Sequence, residues 1–243
     1  MLRDVEPGNR WFFFDPTSSS AARPRRRSAR VNNLEMFNGV DAGALAPRGA
    51  AAFFKRALDI VISLAVLVAL APVFVITAIA VKMDSPGPAL FRQARVGQGG
   101  RVFEVLKFRS MRTDAEKDGP QWASANDDRI TRVGRFIRKF RIDELPQAFN
   151  VLKGEMSFVG PRPERPEFVC ILEKEIPNYR LRHALKPGIT GWAQVQYEYT
   201  ASVEGAREKL KYDLFYVKKF TPILDIVIIL LTVRVVLFGL GSR

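Results

Sequence analysis

Residues 55–82 read KRALDIVISLAVLVALAPVFVITAIAVK, and the fold turns on how this stretch is placed. From Ile60 to Val81 the only polar side chains are Ser63 and Thr77, a run long enough for a straight helix to cross a bilayer. Two features oppose a plain crossing. Pro72 lies near the middle, where it removes a backbone hydrogen bond and forces a kink. Lys55 and Arg56 precede the run and Lys82 follows it, so the positive-inside bias is met best if both ends face the cytoplasm. A bent, re-entrant helix satisfies both conditions, and a kinked transmembrane span is the alternative that the sequence leaves open. Arg56 and Asp59 are three residues apart on that helix and are expected to pair at the interface.

Upstream, residues 1–52 read as a disordered basic leader. They hold Ser18-Ser19-Ser20, the aromatic island Trp11-Phe12-Phe13-Phe14 and the basic run Arg23-Pro24-Arg25-Arg26-Arg27, with little periodicity. No secretory signal peptide is expected, because the first long apolar stretch lies far from the N-terminus. The chain of 243 residues carries a formal charge of +13, which suits an anionic partner such as a phosphate-rich substrate, an acidic lipid surface or nucleic acid. Cys170 is the only cysteine and His183 the only histidine. An internal disulfide, a thiolate metal site and a multi-histidine zinc site are thereby excluded, and transfer chemistry falls to carboxylates.

Downstream, Ser85-Pro86-Gly87-Pro88 breaks the helix and Gly97-Gln98-Gly99-Gly100 makes a loop. RVFEVLKFRSMR (101–112) alternates as a strand, with Phe103, Val105, Lys107 and Arg109 on one face. Lys107 and Arg109 would then stand roughly 7 Å apart, a spacing that fits two phosphates. From Asp128 the spacing of Ile130, Val133, Phe136, Ile137 and Phe140 predicts a helix, with Arg135, Arg138 and Arg141 repeating every third residue toward Asp143-Glu144. A second helix is predicted from Asp143, as its N-cap, to Lys153-Gly154, with Pro146 in the first turn and Gly154 in the capping position. Pro161-Arg162-Pro163 stiffens the backbone on either side of a guanidinium, an arrangement suited to a planar anion. Residues 206–220 form a candidate interfacial helix that mixes Lys209, Lys211, Lys218 and Lys219 with Tyr212, Phe215, Tyr216 and Phe220. The apolar run 222–240 carries Asp225 and Arg234 on nearly opposite sides and is assigned a shallow position in the interface.

Taken together and in order, Lys55-Arg56 with Asp59, the proline-broken helix, VLKFRSMR, RIDELPQAFNVLKGEMSFVGPRP, LRHALKPGITGWAQV and YDLFYVKKF resemble the bacterial sugar transferases, the monotopic phosphoglycosyl transferases that act on polyprenol phosphate. The resemblance covers about residues 53–238, and the long DELPQ…GPRP block is its most specific part. Ala71 stands before the kink proline where the family often has Ser. The resemblance implies an enzyme that moves a sugar-1-phosphate from a UDP-sugar to undecaprenyl phosphate, releasing UMP, with galactose or glucose as the leading donors. It implies Asp143 as the nucleophile, Glu144 as its helper, and Mg²⁺ held by Asp143 and Glu144. Arg162 between Pro161 and Pro163 would hold the nucleotide, and Lys107, Arg109 and Arg138 the diphosphate. Lys55, Arg56, Asp59 and Pro72 would serve the membrane element.

The expected architecture is α+β: a re-entrant helix at 53–83, a mostly helical catalytic domain with a small sheet at 84–205, and interfacial helices at 206–243. The expected location is the cytoplasmic face of a bacterial inner membrane, with its lipids as partners, no nucleic acid, and homo-oligomerisation left open. The competing reading is a non-catalytic basic adaptor that binds lipid phosphate or a polysaccharide-assembly partner.

Overall fold

The computed structural model describes residues 34–117, 119, 127–197 and 202–237. The long apolar stretch folds as two helices, α2 (Gly49–Ala69) and α3 (Ala71–Asp84), bent by 63° at a break at Leu70. Among the described residues no single helix is long and apolar enough to cross a membrane. Pro72 lies in the first turn of α3 rather than inside a continuous helix, so its missing N–H leaves no bond unmade. Lys55, Asp59 and Ser63 repeat every fourth residue and turn inward, whereas Val61, Leu64 and Val68 of α2 and Val75, Ile76, Ile79 and Met83 of α3 are exposed. The pair is therefore inside-out relative to a soluble amphipathic helix, with its polar residues against protein and its apolar face open.

The expected Arg56–Asp59 pair does not form. Arg56 donates to Val151 O and Leu152 O at 2.6 and 2.7 Å, the orphan carbonyls at the end of α5 (Gln147–Lys153). Asp59 accepts from Ser157 Oγ at 2.9 Å and from the Phe158 N–H at 2.8 Å, at strand β3 (Ser157–Val159). Each charge finds fixed backbone on the body, which an interfacial pair three residues apart could not match. At the far end, Asp84 Oδ2 accepts from the Val133 N–H at 3.0 Å. Both ends of the bent pair are thus fastened to one body.

That body carries two small sheets. Strands β1 (Leu90–Val96) and β2 (Val102–Phe108) form an antiparallel hairpin in which Leu90 faces Phe108 and Val96 faces Val102, closed through the glycine loop read from sequence. β3 pairs in parallel with β4 (Gly188–Thr190). A Cβ on Gly188 would lie 2.1 Å from Gly160 N, so only glycine permits this approach of the two backbones. Helices α4 (Arg132–Lys139) and α5 appear where the periodicity placed them, and Gly154 ends α5 with φ of 86°. Asp143 is not the N-cap of α5. It lies in a separate 3₁₀ turn, Ile142–Glu144, and Pro146 occupies the cap.

Helices α6 (Pro166–Glu175), α7 (Trp192–Gln196), α8 (Val203–Lys219) and α9 (Pro222–Leu237) complete the body. Two sequence expectations need correcting here. The segment 34–52, counted with the leader, is folded: Leu34 and Phe37 are buried with Val169, Leu172, Ile176, Leu210 and Leu214, and α1 (Ala42–Leu45) follows. Its elements are too short to show a period. The aromatic island and the arginine run, in residues 1–33, lie outside the described residues. Helix α8 also belongs to the core, since Leu210, Leu214, Tyr216 and Val217 are buried in it. Its Lys209 reaches Glu164 at 3.9 Å instead of an interface. α9 leaves Ile223, Ile226, Val227, Leu230 and Val233 exposed, while Asp225 turns inward.

Candidate active site

Helix α4 ends at Phe140, and Arg141 then takes the left-handed conformation, with φ of 57°. That reversal turns Asp143 and Glu144 into the body, where they are 8 % and 6 % exposed. The two neighbours meet different surroundings. Glu144 accepts a two-pronged contact from Arg162, whose Nη2 is 2.5 Å from Oε1 and Nη1 3.3 Å from Oε2. Lys107 Nζ at 3.8 Å and Arg141 Nη1 at 3.6 Å add two more cations on Oε1. Asp143 has no hydrogen bond or ion pair to any described residue.

The electrostatics follow. Burial would raise both carboxyls. For Glu144, Arg162, Lys107 and Arg141 outweigh burial and hold the group well below the usual carboxylate range. For Asp143, burial and the neighbouring Glu144 charge win over Lys107, Arg138 and Arg141, and its pKa is pushed up to about 6. Burial lowers the Lys107 ammonium to about 8 against the pull of Glu144. The pair thus consists of a clamped anion and an unclaimed carboxylate that ionises below neutral pH.

Arg162 is aimed by its loop. The prolines restrict φ, and four successive carbonyls are each taken. Pro161 O accepts from the Gly188 N–H at 2.9 Å, Arg162 O from Arg182 Nη2 at 2.9 Å, Pro163 O from Arg95 Nη1 at 3.0 Å, and Glu164 O from the Val96 N–H at 2.9 Å. Arg182 is itself held by Asp213 at 3.0 and 2.8 Å and by Tyr179 Oη at 2.9 Å. Arg95, Arg182 and Asp213 escaped the sequence reading, because no local pattern marks an arginine whose partner lies on another element.

The structure brings Asp143, Glu144, Lys107, Arg162 and its flanking prolines together, with the half-buried Arg138 close enough to lower the Asp143 pKa. It does not bring Arg109. β2 ends at Phe108, and the Arg109 guanidinium turns away to donate to Pro86 O at 2.8 Å, Ser85 O at 2.7 Å and Val81 O at 3.3 Å. It satisfies the end of α3 and is 5 % exposed, so Arg109 does not stand beside Lys107 as expected, and the guanidinium near Lys107 is that of Arg162. Lys55 also lies elsewhere, against Asp225 at 2.8 Å. His183 is held neutral by burial and by Arg182, its pKa lowered to about 3, so it carries no proton work near neutral pH. Among the described residues no three His, Cys, Asp or Glu side chains cluster as a metal site. A magnesium ion would therefore need phosphate oxygens beside a single carboxylate. The unclaimed Asp143 fits that donor set, and Glu144, already facing three cations, does not.

Known proteins align with the chain over this site. It is 48% identical over 201 residues to the UDP-N-acetylgalactosamine-undecaprenyl-phosphate N-acetylgalactosaminephosphotransferase of Aeromonas hydrophila, covering 83% of the chain and 48% of that protein. It is 45% identical over 191 residues to the undecaprenyl-phosphate glucose phosphotransferase of Komagataeibacter xylinus, covering 76% of the chain and 36% of that protein. It is 44% identical over 185 residues to the exopolysaccharide production protein PSS of Rhizobium leguminosarum bv. phaseoli, covering 74% of the chain and 92% of that protein. The chain thus spans about half or less of the first two relatives and nearly all of the third. The bacterial sugar transferase family model matches residues 50–239, and the chain belongs to that family.

Proposed function

We propose that this chain transfers a sugar-1-phosphate from a UDP-sugar to undecaprenyl phosphate, the first membrane step of exopolysaccharide or glycoconjugate synthesis. One observation carries the reading: a buried carboxylate, Asp143, that no described residue claims, beside a glutamate clamped by Arg162, Lys107 and Arg141. A non-catalytic adaptor has no use for an unclaimed buried carboxylate. The names of the relatives supply the substrate class, since two of them join undecaprenyl phosphate to a sugar phosphotransferase.

In this reading an Asp143 oxygen attacks the phosphorus that bears the sugar. The bond from that phosphorus to the bridging oxygen breaks, and UMP leaves with the electron pair. The phosphosugar is now esterified to Asp143. An oxygen of undecaprenyl phosphate then attacks the same phosphorus, and the Asp143 carboxylate departs, giving undecaprenyl diphosphate-sugar. A carboxylate approaching a diphosphate meets like charge, and the cations around Glu144 oppose that repulsion in a buried setting where they act strongly. Mg²⁺, bound through Asp143 and the phosphates, would neutralise further charge on the diphosphate. Glu144 fixes Arg162 and Lys107 in place rather than serving as a metal ligand.

The bent pair α2–α3 is read as re-entrant. Both its ends are fastened to one body and its exposed face is apolar, which supports entry and exit on the same, cytoplasmic, side of the inner membrane. The donor is read as a UDP-hexose, glucose or galactose. UMP release should be measured with UDP-glucose, UDP-galactose and UDP-N-acetylgalactosamine, with undecaprenyl phosphate and Mg²⁺. Release that requires lipid and disappears in Asp143→Asn is the expected result. Undiminished release by Asp143→Asn would overturn the assignment.

A further inference from the structure

A shallow crevice, open to solvent, lies beside the PRP loop and is lined by Arg95, Val105, Lys107, Gln147, Arg162 and Pro163. Three of its six lining residues are cations and none is acidic. Two of the cations, Lys107 and Arg162, also face Glu144. The uncommitted polar group in its wall is Gln147, the first residue of α5 and four residues after Asp143.

Gln147 is 2% exposed, and its carboxamide has no hydrogen-bond partner among the described residues. Nor is the amide sealed off from solvent, as the orphaned Nε2 of His183 is. Gln147 lines the crevice. Asn150, one turn along the same short helix and 0% exposed, shows what a structural amide does here. Its Oδ1 accepts from the Leu106 N–H at 3.0 Å, and its Nδ2 donates to Glu104 O and Glu155 Oε2 at 2.7 Å each. Every position on Asn150 that geometry allows is used, and its role is to lock α5 to β2. Gln147 has the same chemistry, nearly the same burial and no partner among the described residues. Buried amides are rarely left so, because an unmade bond forfeits the full desolvation cost of the group.

We propose that Gln147 is a substrate-binding residue whose Nε2–H donates to a non-bridging phosphate oxygen of the nucleotide diphosphate, a role that rests on the reading of the site as a UDP-sugar transferase. The crevice chooses the partner. An occupant surrounded by Arg95, Lys107 and Arg162 is anionic, and an amide among cations meets an anion with its N–H side. Gln147 follows Asp143 by four residues, and two of the cations that face Glu144, Lys107 and Arg162, line the same crevice as Gln147. Gln147 would orient the phosphoryl group, while the cations offset its charge.

The test is binding of UDP, with Mg²⁺, to the full chain in detergent, for wild type, Gln147→Met and Gln147→Glu. Methionine keeps the length and apolar bulk and loses the donor. Glutamate keeps the shape and places like charge against the phosphate. The expected dissociation constants rise roughly tenfold or more for Gln147→Met and at least about a hundredfold for Gln147→Glu, with melting temperatures near wild type. A purely structural amide would show the reverse, loss of melting temperature with UDP affinity kept. Wild-type UDP affinity in both folded variants overturns the proposal, as does a wild type that binds no UDP. Weakened UDP binding in these variants alongside transfer retained by Asp143→Asn would uphold Gln147 and overturn the nucleophile instead.

Discussion

Two buried charge clusters in this protein are built from the same ingredients and end differently. Around Asp225, Lys55 Nζ donates to Asp225 Oδ2 at 2.8 Å, Val159 O at 2.9 Å and Tyr216 Oη at 3.2 Å, which uses all three ammonium hydrogens. Tyr216 Oη donates to Asp225 Oδ1 at 2.6 Å, so both carboxylate oxygens are claimed. Around the dyad, three cations converge on Glu144 while Asp143 has no hydrogen-bond or ion-pair partner among the described residues. The first cluster closes on itself and ties α2 to α9 and β3. The second keeps an excess of positive charge and one open carboxylate, which is what the proposed anionic substrate would need. Burial alone does not separate a brace from a reaction centre. The satisfaction of its last polar atom does.

The sharpest way to break the comparison is to reverse one charge in the open cluster. Arg162→Glu strips Glu144 of its main partner and sets a second carboxylate against the phosphates. UMP release should fall by roughly 10³-fold or more, read as kcat/KM for the UDP-sugar. The matching change in the closed cluster should act on folding. Lys55→Met leaves the buried Asp225 carboxyl without its cation and is expected to cost about 3–5 kcal/mol, measured by denaturant unfolding in detergent. The double variant Lys55→Met/Asp225→Leu should recover most of that loss, because a well-packed apolar pair has no stranded charge. Full activity in Arg162→Glu, or a loss in the double variant as large as in Lys55→Met, would erase the distinction.

The open cluster was largely legible in the sequence and the closed one was not. Asp143, Glu144, Arg162 and Lys107 sit in compact motifs whose local chemistry is unusual. Two prolines around an arginine, and two acids after a run of arginines, announce a constraint before any contact is known. Lys55 and Asp225 are separated by 170 positions, and each taken alone is an ordinary flanking charge in an apolar stretch. Arg56 and Asp59 misled for the related reason that a spacing of three shows what could meet on one helix, not which backbone the body will offer. Arg109 followed the strand alternation on paper, but the strand ends one residue before it. Segment 34–52 carries too few residues per element for a period to show. Gln147 was passed over because it stands in sequence like any helix-opening glutamine, and only its contrast with Asn150 in space makes it conspicuous.

An open site that holds a buried carboxylate should also exact a stability cost, which sharpens the comparison at a smaller scale. Asp143 ionises near 6 in the folded protein, raised from 3.8 by burial and by Glu144. The folded state therefore binds this proton more tightly than the unfolded chain. The favourable contribution is fully present below about pH 4 and is lost as pH rises through about 6. Asp143→Asn, neutral at every pH, should be more stable than wild type by up to about 3 kcal/mol at pH 7.5, with the gain vanishing toward pH 4. Unfolding curves in EDTA across that range read it directly. A variant inactive in transfer yet more stable at neutral pH would mark Asp143 as kept for chemistry against the interest of the fold. Equal stability at both ends of the range would place its ionisation at the ordinary value.

The gentlest probe is Tyr216→Phe, which removes one oxygen from the closed cluster and nothing else. Asp225 Oδ1 loses its donor and Lys55 one of its acceptors, while the 2.8 Å ion pair stays. Because the charges remain paired, the cost should be that of a hydrogen bond to a charged group, about 1.5–3 kcal/mol, and below that of Lys55→Met. The position of the cluster makes the variant informative about function as well. Lys55 also grips Val159 O, and two residues later the chain enters Pro161-Arg162-Pro163. If the loop is held by its own four carbonyl bonds, as the contacts from Gly188, Arg182, Arg95 and Val96 imply, UDP affinity in Tyr216→Phe should match wild type. A loss of UDP affinity in step with the loss of stability would show instead that β3 carries strain from the brace into the arginine clamp, and that the two clusters act as one.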